Sequence, residues 1–194
     1  GLVPVEERPE AKCQIDRAAS LLKLDMDALQ AVAGRAGDLS PMPFHYPESL
    51  KGLRIGLAKD AAFAFTYAAN LIALRRMGAE LAPFSPLSDA ALPGGLDALY
   101  LPGGFPEVFE AELKANGAMT ASVRAAIEGG LRVYAECGGM LYLAMIGALP
   151  IRWRMTDRLQ RFGYVTVAGH GGTNFLQLLG HLVHGAADVV PVEA

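Results

Sequence analysis

From Lys51 onward, short apolar runs alternate with stretches whose apolar residues recur at helical spacing. Leu53-Arg54-Ile55-Gly56-Leu57-Ala58 predicts a strand, and Tyr67, Leu71 and Leu74, at i, i+4 and i+7, predict a helix after it. Ala79 to Phe84 and Leu96 to Leu101 read as a second and a third strand. A helical region follows, with Pro106 near its start and Met119, Val123 and Ile127 spaced by four. Leu131 to Ala135 predicts a fourth strand, running into Cys137 and a helix from Gly138 to Ile146. Strands separated by helices imply βαβ units: an α/β fold with a mostly parallel sheet and helices on both faces. Chemistry in such folds gathers at the carboxyl ends of the strands.

The first forty-odd residues follow another pattern. Pro9 suits a first helical turn, after which Ala11, Ile15, Ala18 and Leu22 recur at helical spacing. Asp25 is placed to cap a second helix carrying Met26, Leu29 and Val32. Gly34, Gly37, Pro41, Pro43 and Pro47 then punctuate a linker. Two short helices and a linker do not make a domain. Residues 1–48 are therefore expected to be the tail of a preceding domain plus a linker, and residues 49–194 the main domain. The opening Gly1-Leu2-Val3-Pro4 fits a cut through a longer polypeptide.

Composition narrows the function. The chain has 194 residues, 52% hydrophobic and 19% charged, which is enough apolar material for a packed core. Its formal net charge is −3, against a general nucleic-acid binder. The charge-free stretch from Phe162 to Ala187 contains His170, Thr173, Asn174, Gln177, His181, His184 and several glycines, so it would span lipid poorly. No membrane partner and no signal peptide are expected, since the opening residues lack a basic region followed by an apolar run. Cys13 and Cys137 are too few for a disulfide framework, which suits a reducing, cytoplasmic compartment.

Two strand ends carry candidate chemistry. The third strand runs into Pro102-Gly103-Gly104-Phe105-Pro106-Glu107, and the fourth into Glu136-Cys137-Gly138-Gly139. A nucleophile elbow sets its nucleophile on a sharp strand-to-helix turn and needs small residues around it; Ala135 and Gly139 supply them. A thiol at a helix start also meets the positive end of the helix dipole, which favours thiolate. The Gly103-Gly104 turn could present backbone N–H groups to an oxyanion, with the Gly138 N–H as second donor. A lone cysteine at a strand end is more often a buried small hydrophobe, and Pro-Gly-Gly alone is an ordinary turn. Together they favour catalysis, and spacing reaches a cysteine hydrolase of the α/β type. Spacing does not select the base among His45, His170, His181 and His184. His181-x-x-His184 lacks a third ligand at metal spacing, so no metal site is expected.

Longer runs go further. Ala58-Lys59-Asp60-Ala61-Ala62-Phe63-Ala64-Phe65, Gly78-Ala79-Glu80-Leu81 and Phe84-Ser85-Pro86-Leu87 resemble the glutaminase half of cobyrinic or hydrogenobyrinic acid a,c-diamide synthases. So do Leu101 to Glu107, Tyr134 to Leu143, Gly163-Tyr164 and Gly180-His181-x-x-His184. The resemblance covers Leu53 to His184, and the opening helices resemble the end of that family's ATP-dependent synthetase domain. It implies a class I glutamine amidotransferase fold, three-layered and flavodoxin-like. It implies that Cys137 attacks the glutamine carboxamide, that His184 is its base, and that Gly103, Gly104 and Gly138 form the substrate pocket and oxyanion hole. The ammonia released would serve amidation of the corrin a and c carboxylates in cobalamin biosynthesis. ATP and Mg²⁺ would act in the synthetase domain, with no cofactor here; no G-x-x-x-x-G-K-S/T motif occurs in this chain. A homodimer stays open.

The sequence departs from the family around the histidine. Where the family reads Gly-His-Glu-Phe-His-Tyr-Ser, this chain has Gly180-His181-Leu182-Val183-His184-Gly185-Ala186. The acidic neighbour and the aromatic are absent, and no carboxylate lies two residues after His184 to orient it. The chain also ends at Ala194, sooner than the resemblance leads one to expect. Two other readings follow: a different α/β cysteine hydrolase, or a degenerate glutaminase-like module that docks to a synthetase without catalysis.

Overall fold

The computed structural model describes residues 9–37, 44–149, 151–155 and 187–191. The chain divides into two compact units, Gly1–His45 and Tyr46–Ala194. The first unit holds α1 (Pro9–Leu21) and α2 (Met26–Ala33). The Asp25 carboxylate caps α2 by accepting the Ala28 N–H at 2.9 Å, as its position before the apolar repeat predicts. Every residue from 12 to 37 is exposed, including Ile15, Leu29 and Val32, so this unit has no core among its described residues.

The second unit is built on a four-stranded parallel sheet. Its strands are β1 (Arg54–Ala58), β2 (Glu80–Phe84), β3 (Ala98–Leu101) and β4 (Arg132–Ala135), in the order β2-β1-β3-β4. Between them run α3 (Ala68–Arg76), then α4 (Glu110–Ala115) and α5 (Gly117–Glu128), and α6 (Gly138–Met145) follows β4. The chain leaves β1 towards β2 and returns to place β3 on the other side of β1. The carboxyl ends of β1 and β3 therefore flank a topological switch point, where such sheets place their ligands.

Strand alternation sends side chains to two cores. Ile55, Leu57 and Tyr100 pack with Leu71 and Leu74 of α3. Ala58, Leu99, Leu101 and Ala135 pack with Met119 and Val123 of α5 and Tyr142 and Leu143 of α6. Helices thus lie on both faces, as the βαβ pattern predicts. The α5–α6 side is the denser: Leu99, Leu101, Val123 and Tyr142 are all but fully buried, each contributing about 1.5–3 kcal/mol of apolar burial.

Three features differ from the sequence expectation. The single helical region after β3 is two helices, because Asn116 ends α4 and caps α5. Its side chain accepts the Met119 N–H at 3.3 Å and donates to the Pro86 and Asp89 carbonyls at 2.9 and 2.8 Å. Pro106 lies in the turn before α4, not in a helix. A separate antiparallel pair, β5 (Ile151–Met155) with β6 (Ala187–Pro191), was not anticipated. Among the described residues no helix is long and apolar enough to cross a membrane, and no cluster of His, Cys, Asp and Glu could hold a metal ion.

Candidate active site

The site is assembled where β1, β3 and β4 end. After Ala135 the backbone turns sharply at Cys137, whose φ of 49° and ψ of −113° make it the one non-glycine residue with positive φ among the described residues. Such a conformation costs a residue with a Cβ about 1–3 kcal/mol and persists only where its surroundings enforce it. They do so here by close backbone approach. A Cβ on Gly139 would stand 2.1 Å from the Leu101 carbonyl oxygen. On Gly138 it would meet the Gly104 oxygen at 2.7 Å and Pro106 Cδ at 2.8 Å. The Cys137 carbonyl then accepts the Met140 and Leu141 N–H groups at 3.1 Å, opening α6 directly behind the thiol.

The second wall is the turn after β3. A Cβ on Gly103 would lie 3.6 Å from Cys137 Cβ, and one on Gly104 would sit 2.0 Å from the Ala62 carbonyl oxygen. The expected glycines are therefore brought to the cysteine, Gly104 and Gly138 where no side chain fits and Gly103 where one would be tight. The Gly104 and Gly138 N–H groups both stand close enough to the Cys137 sulfur to act on it. Burial is the largest influence on that thiol and pushes it up from its ordinary range; these two amides pull it down, and the Glu107 and Glu136 carboxylates push it up further. A half-buried thiol of this kind needs a proton acceptor to become a nucleophile at neutral pH.

A residue without an assigned role in the sequence reading braces this wall. Asp60, at the end of β1, accepts the Ala62 and Phe63 N–H groups on Oδ1 at 2.9 and 3.2 Å. On Oδ2 it accepts the Ser85 hydroxyl and the Leu87 N–H, both at 2.9 Å. The loop it holds then grips the glycine turn: Phe105 N–H donates to the Ala62 carbonyl and Phe65 N–H to the Gly103 carbonyl, both at 3.0 Å. Phe63 anchors the loop edge-on to Tyr142 of α6, with ring centroids 5.4 Å apart. The sequence signal for Asp60 is an aspartate followed by small residues at a strand end, an Asx-turn pattern. Glu136 also carried no assignment; it stands immediately before Cys137.

His170, His181, His184, Gly163 and Tyr164 lie outside the described residues. What the described residues bring together is Cys137 with Gly103, Gly104 and Gly138: a strained thiol beside two backbone amides.

Residues 54–186 match the family model of the CobB/CobQ-like glutamine amidotransferase domain. The chain is 41% identical to hydrogenobyrinate a,c-diamide synthase of Pseudomonas aeruginosa, over 95% of this chain and 43% of that protein. It is 39% identical to cobyrinate a,c-diamide synthase of Listeria innocua, over 84% of this chain and 39% of that protein. The like-named protein of Dehalococcoides mccartyi is 38% identical, over 95% and 44%. The chain spans less than half the length of these relatives. By the extent of these matches, the chain belongs to the CobB/CobQ-like glutamine amidotransferase domain family.

Proposed function

We propose that this chain is the glutaminase portion of a cobyrinate or hydrogenobyrinate a,c-diamide synthase. It hydrolyses glutamine through a Cys137 thioester and passes ammonia to amidation of the corrin a and c carboxylates. The observation that carries the reading is the positive-φ Cys137 facing the amides of Gly104 and Gly138. The Cys137 thiolate attacks the side-chain amide carbon of glutamine, and the oxygen that gains the charge is held by those two N–H groups. Collapse of the adduct breaks the C–N bond. The leaving nitrogen takes a proton from His184, which earlier received the thiol proton, and departs as ammonia. Water then cleaves the thioester to release glutamate. ATP and Mg²⁺ would supply the activation of the corrin carboxylates in a synthetase portion. Two free cysteines, one of them the proposed nucleophile, suit a cytoplasmic setting.

The test is covalent labelling of the intact protein with the glutamine analogue diazo-oxonorleucine. The expected result is one adduct at Cys137, blocked by glutamine and absent from Cys137→Ala. Because burial holds the thiol high, His184→Ala should move the pH midpoint of labelling upward. No adduct in the intact protein would overturn the catalytic reading and leave a docking module.

A further inference from the structure

The two amides that face Cys137 hang from different strands: Gly104 follows β3 and Gly138 follows β4. An oxyanion hole needs both donors about 2.7–3.1 Å from one oxygen, so the two strand ends must be held at a fixed spacing. The residue between β4 and the nucleophile ties them together from the far side of the sheet. Glu136 Oε1 accepts the Tyr100 hydroxyl at 2.8 Å, and Oε2 accepts the Tyr134 hydroxyl at 3.2 Å. Tyr100 and Tyr134 are register partners across β3 and β4, with rings edge-to-face at 5.3 Å. Asn70 of α3 faces the Tyr100 hydroxyl as well. The Glu136 backbone N–H donates to Leu101, the last residue of β3, at 3.1 Å, and its carbonyl accepts the Gly139 N–H at 2.8 Å. Main chain and side chain of this one residue therefore bind the ends of both strands and the first turn of α6.

The charge is otherwise unfavourable there. A carboxylate beside a thiol disfavours the thiolate, and it would disfavour an oxyanion in the same way. The two hydroxyls answer this by drawing the carboxylate to the opposite face and satisfying one oxygen each. We infer that Glu136, held by Tyr100 and Tyr134, is a positioning residue for glutamine hydrolysis: the clamp sets the spacing of the Gly104 and Gly138 amides and keeps Cys137 in its strained turn. The inference deepens the glutaminase reading and rests on it.

The consequence is a loss confined to the transition state. Releasing the clamp moves amides that would hold the developing oxyanion more strongly than the bound carboxamide, so kcat falls while glutamine binding persists. In the intact protein, Tyr100→Phe/Tyr134→Phe and Glu136→Ala are each expected to lower kcat by about 10–100-fold, with KM within about threefold. Rates are normalised to the fraction of Cys137 labelled by diazo-oxonorleucine, so partial unfolding does not count as lost catalysis. Alkylation by iodoacetamide forms no oxyanion; at a pH where the thiol is ionised its rate should stay within about twofold of wild type. Glu136→Gln keeps a carbonyl for one hydroxyl and an amide for the other, and should recover most of the lost kcat. A normalised kcat within threefold of wild type in the double tyrosine variant would overturn the inference, as would equal losses in Glu136→Gln and Glu136→Ala. Wild-type protein that neither labels nor turns over glutamine would instead bring down the glutaminase reading, and the inference with it.

Discussion

Cys13 and Cys137 carry the same thiol in different surroundings. Cys13 lies within α1, on a helical backbone in a stretch where every described residue from 12 to 37 is exposed. Cys137 is half-buried, bent to positive φ, and faced by two backbone amides. Nothing about the residue type distinguishes them. The difference is made by glycines and by main chain packed too closely for any side chain, which bend one thiol into a half-buried turn and leave the other exposed.

The largest effect should separate the two cysteines. Cys137→Ala is expected to cut glutamine hydrolysis at least about 10³-fold, because the proposed thioester forms on its sulfur. Cys13→Ala should leave the rate within twofold. A steady-state ammonia assay on the intact protein reads both, and equal losses would erase the distinction.

A pair of glycines sharpens the contrast next. Gly104→Ala would drive a Cβ to 2.0 Å from the Ala62 oxygen, and backbone atoms cannot rotate out of the way as a side-chain tip can. The turn must move, and with it one oxyanion donor, a loss of about 10²–10³-fold in kcat. Gly37→Ala, with nothing within 4 Å of the added atom, should change neither kcat nor the thermal midpoint measurably.

Those positions also explain what the sequence could convey. The elbow was legible because its constraint is local: a small residue on either side of a cysteine between an apolar strand and a helical stretch says where bulk is forbidden. The four strands were legible as apolar runs, and their parallel order followed from the helices between them. Each lost a residue or two at its start, where Leu53, Ala79, Leu96 and Leu131 precede the paired register. The break at Asn116 was not legible, because what ends α4 there includes carbonyls of Pro86 and Asp89, far away in the chain. The Tyr100–Glu136 bond spans 36 positions and has no periodicity to betray it. The pairing of β5 with β6 is equally remote, and antiparallel where the rest of the pattern is parallel. His184, which spacing could not single out among the histidines, lies outside the described residues.

Asp60 gives a smaller effect that still belongs to the site. Asp60→Ala removes the acceptor for four donors at once, on a loop that carries no helix or strand of its own. Water can reach part of this half-buried cluster, so the cost should be well under four separate bonds: about 3 kcal/mol by chemical denaturation. Asp60→Asn keeps one carbonyl oxygen and should lose about half of that. A loss below about 1 kcal/mol in Asp60→Ala would mean that the glycine turn is held by packing of Phe63 and Phe105 instead.

The smallest effect tests whether the helical unit bears on the chemistry. Asp25 supplies the one side-chain cap of α2, through a single bond from the Ala28 N–H. Replacing it with alanine should cost about 1 kcal/mol of local helix stability, because one donor at the first turn goes back to water and the charge near the positive end of the helix is lost. An eight-residue helix is marginal to begin with, so the loss appears as faster amide exchange confined to Met26–Ala33 rather than as a shift in the main unfolding transition. Glutamine turnover should be that of wild type, because the contacts that shape the turns at Cys137 and Gly104 come from residues of the second unit. A fall in kcat without a fall in stability would show that the helical unit bears on the active site, and that the contrast between the two cysteines is one of role within a coupled structure.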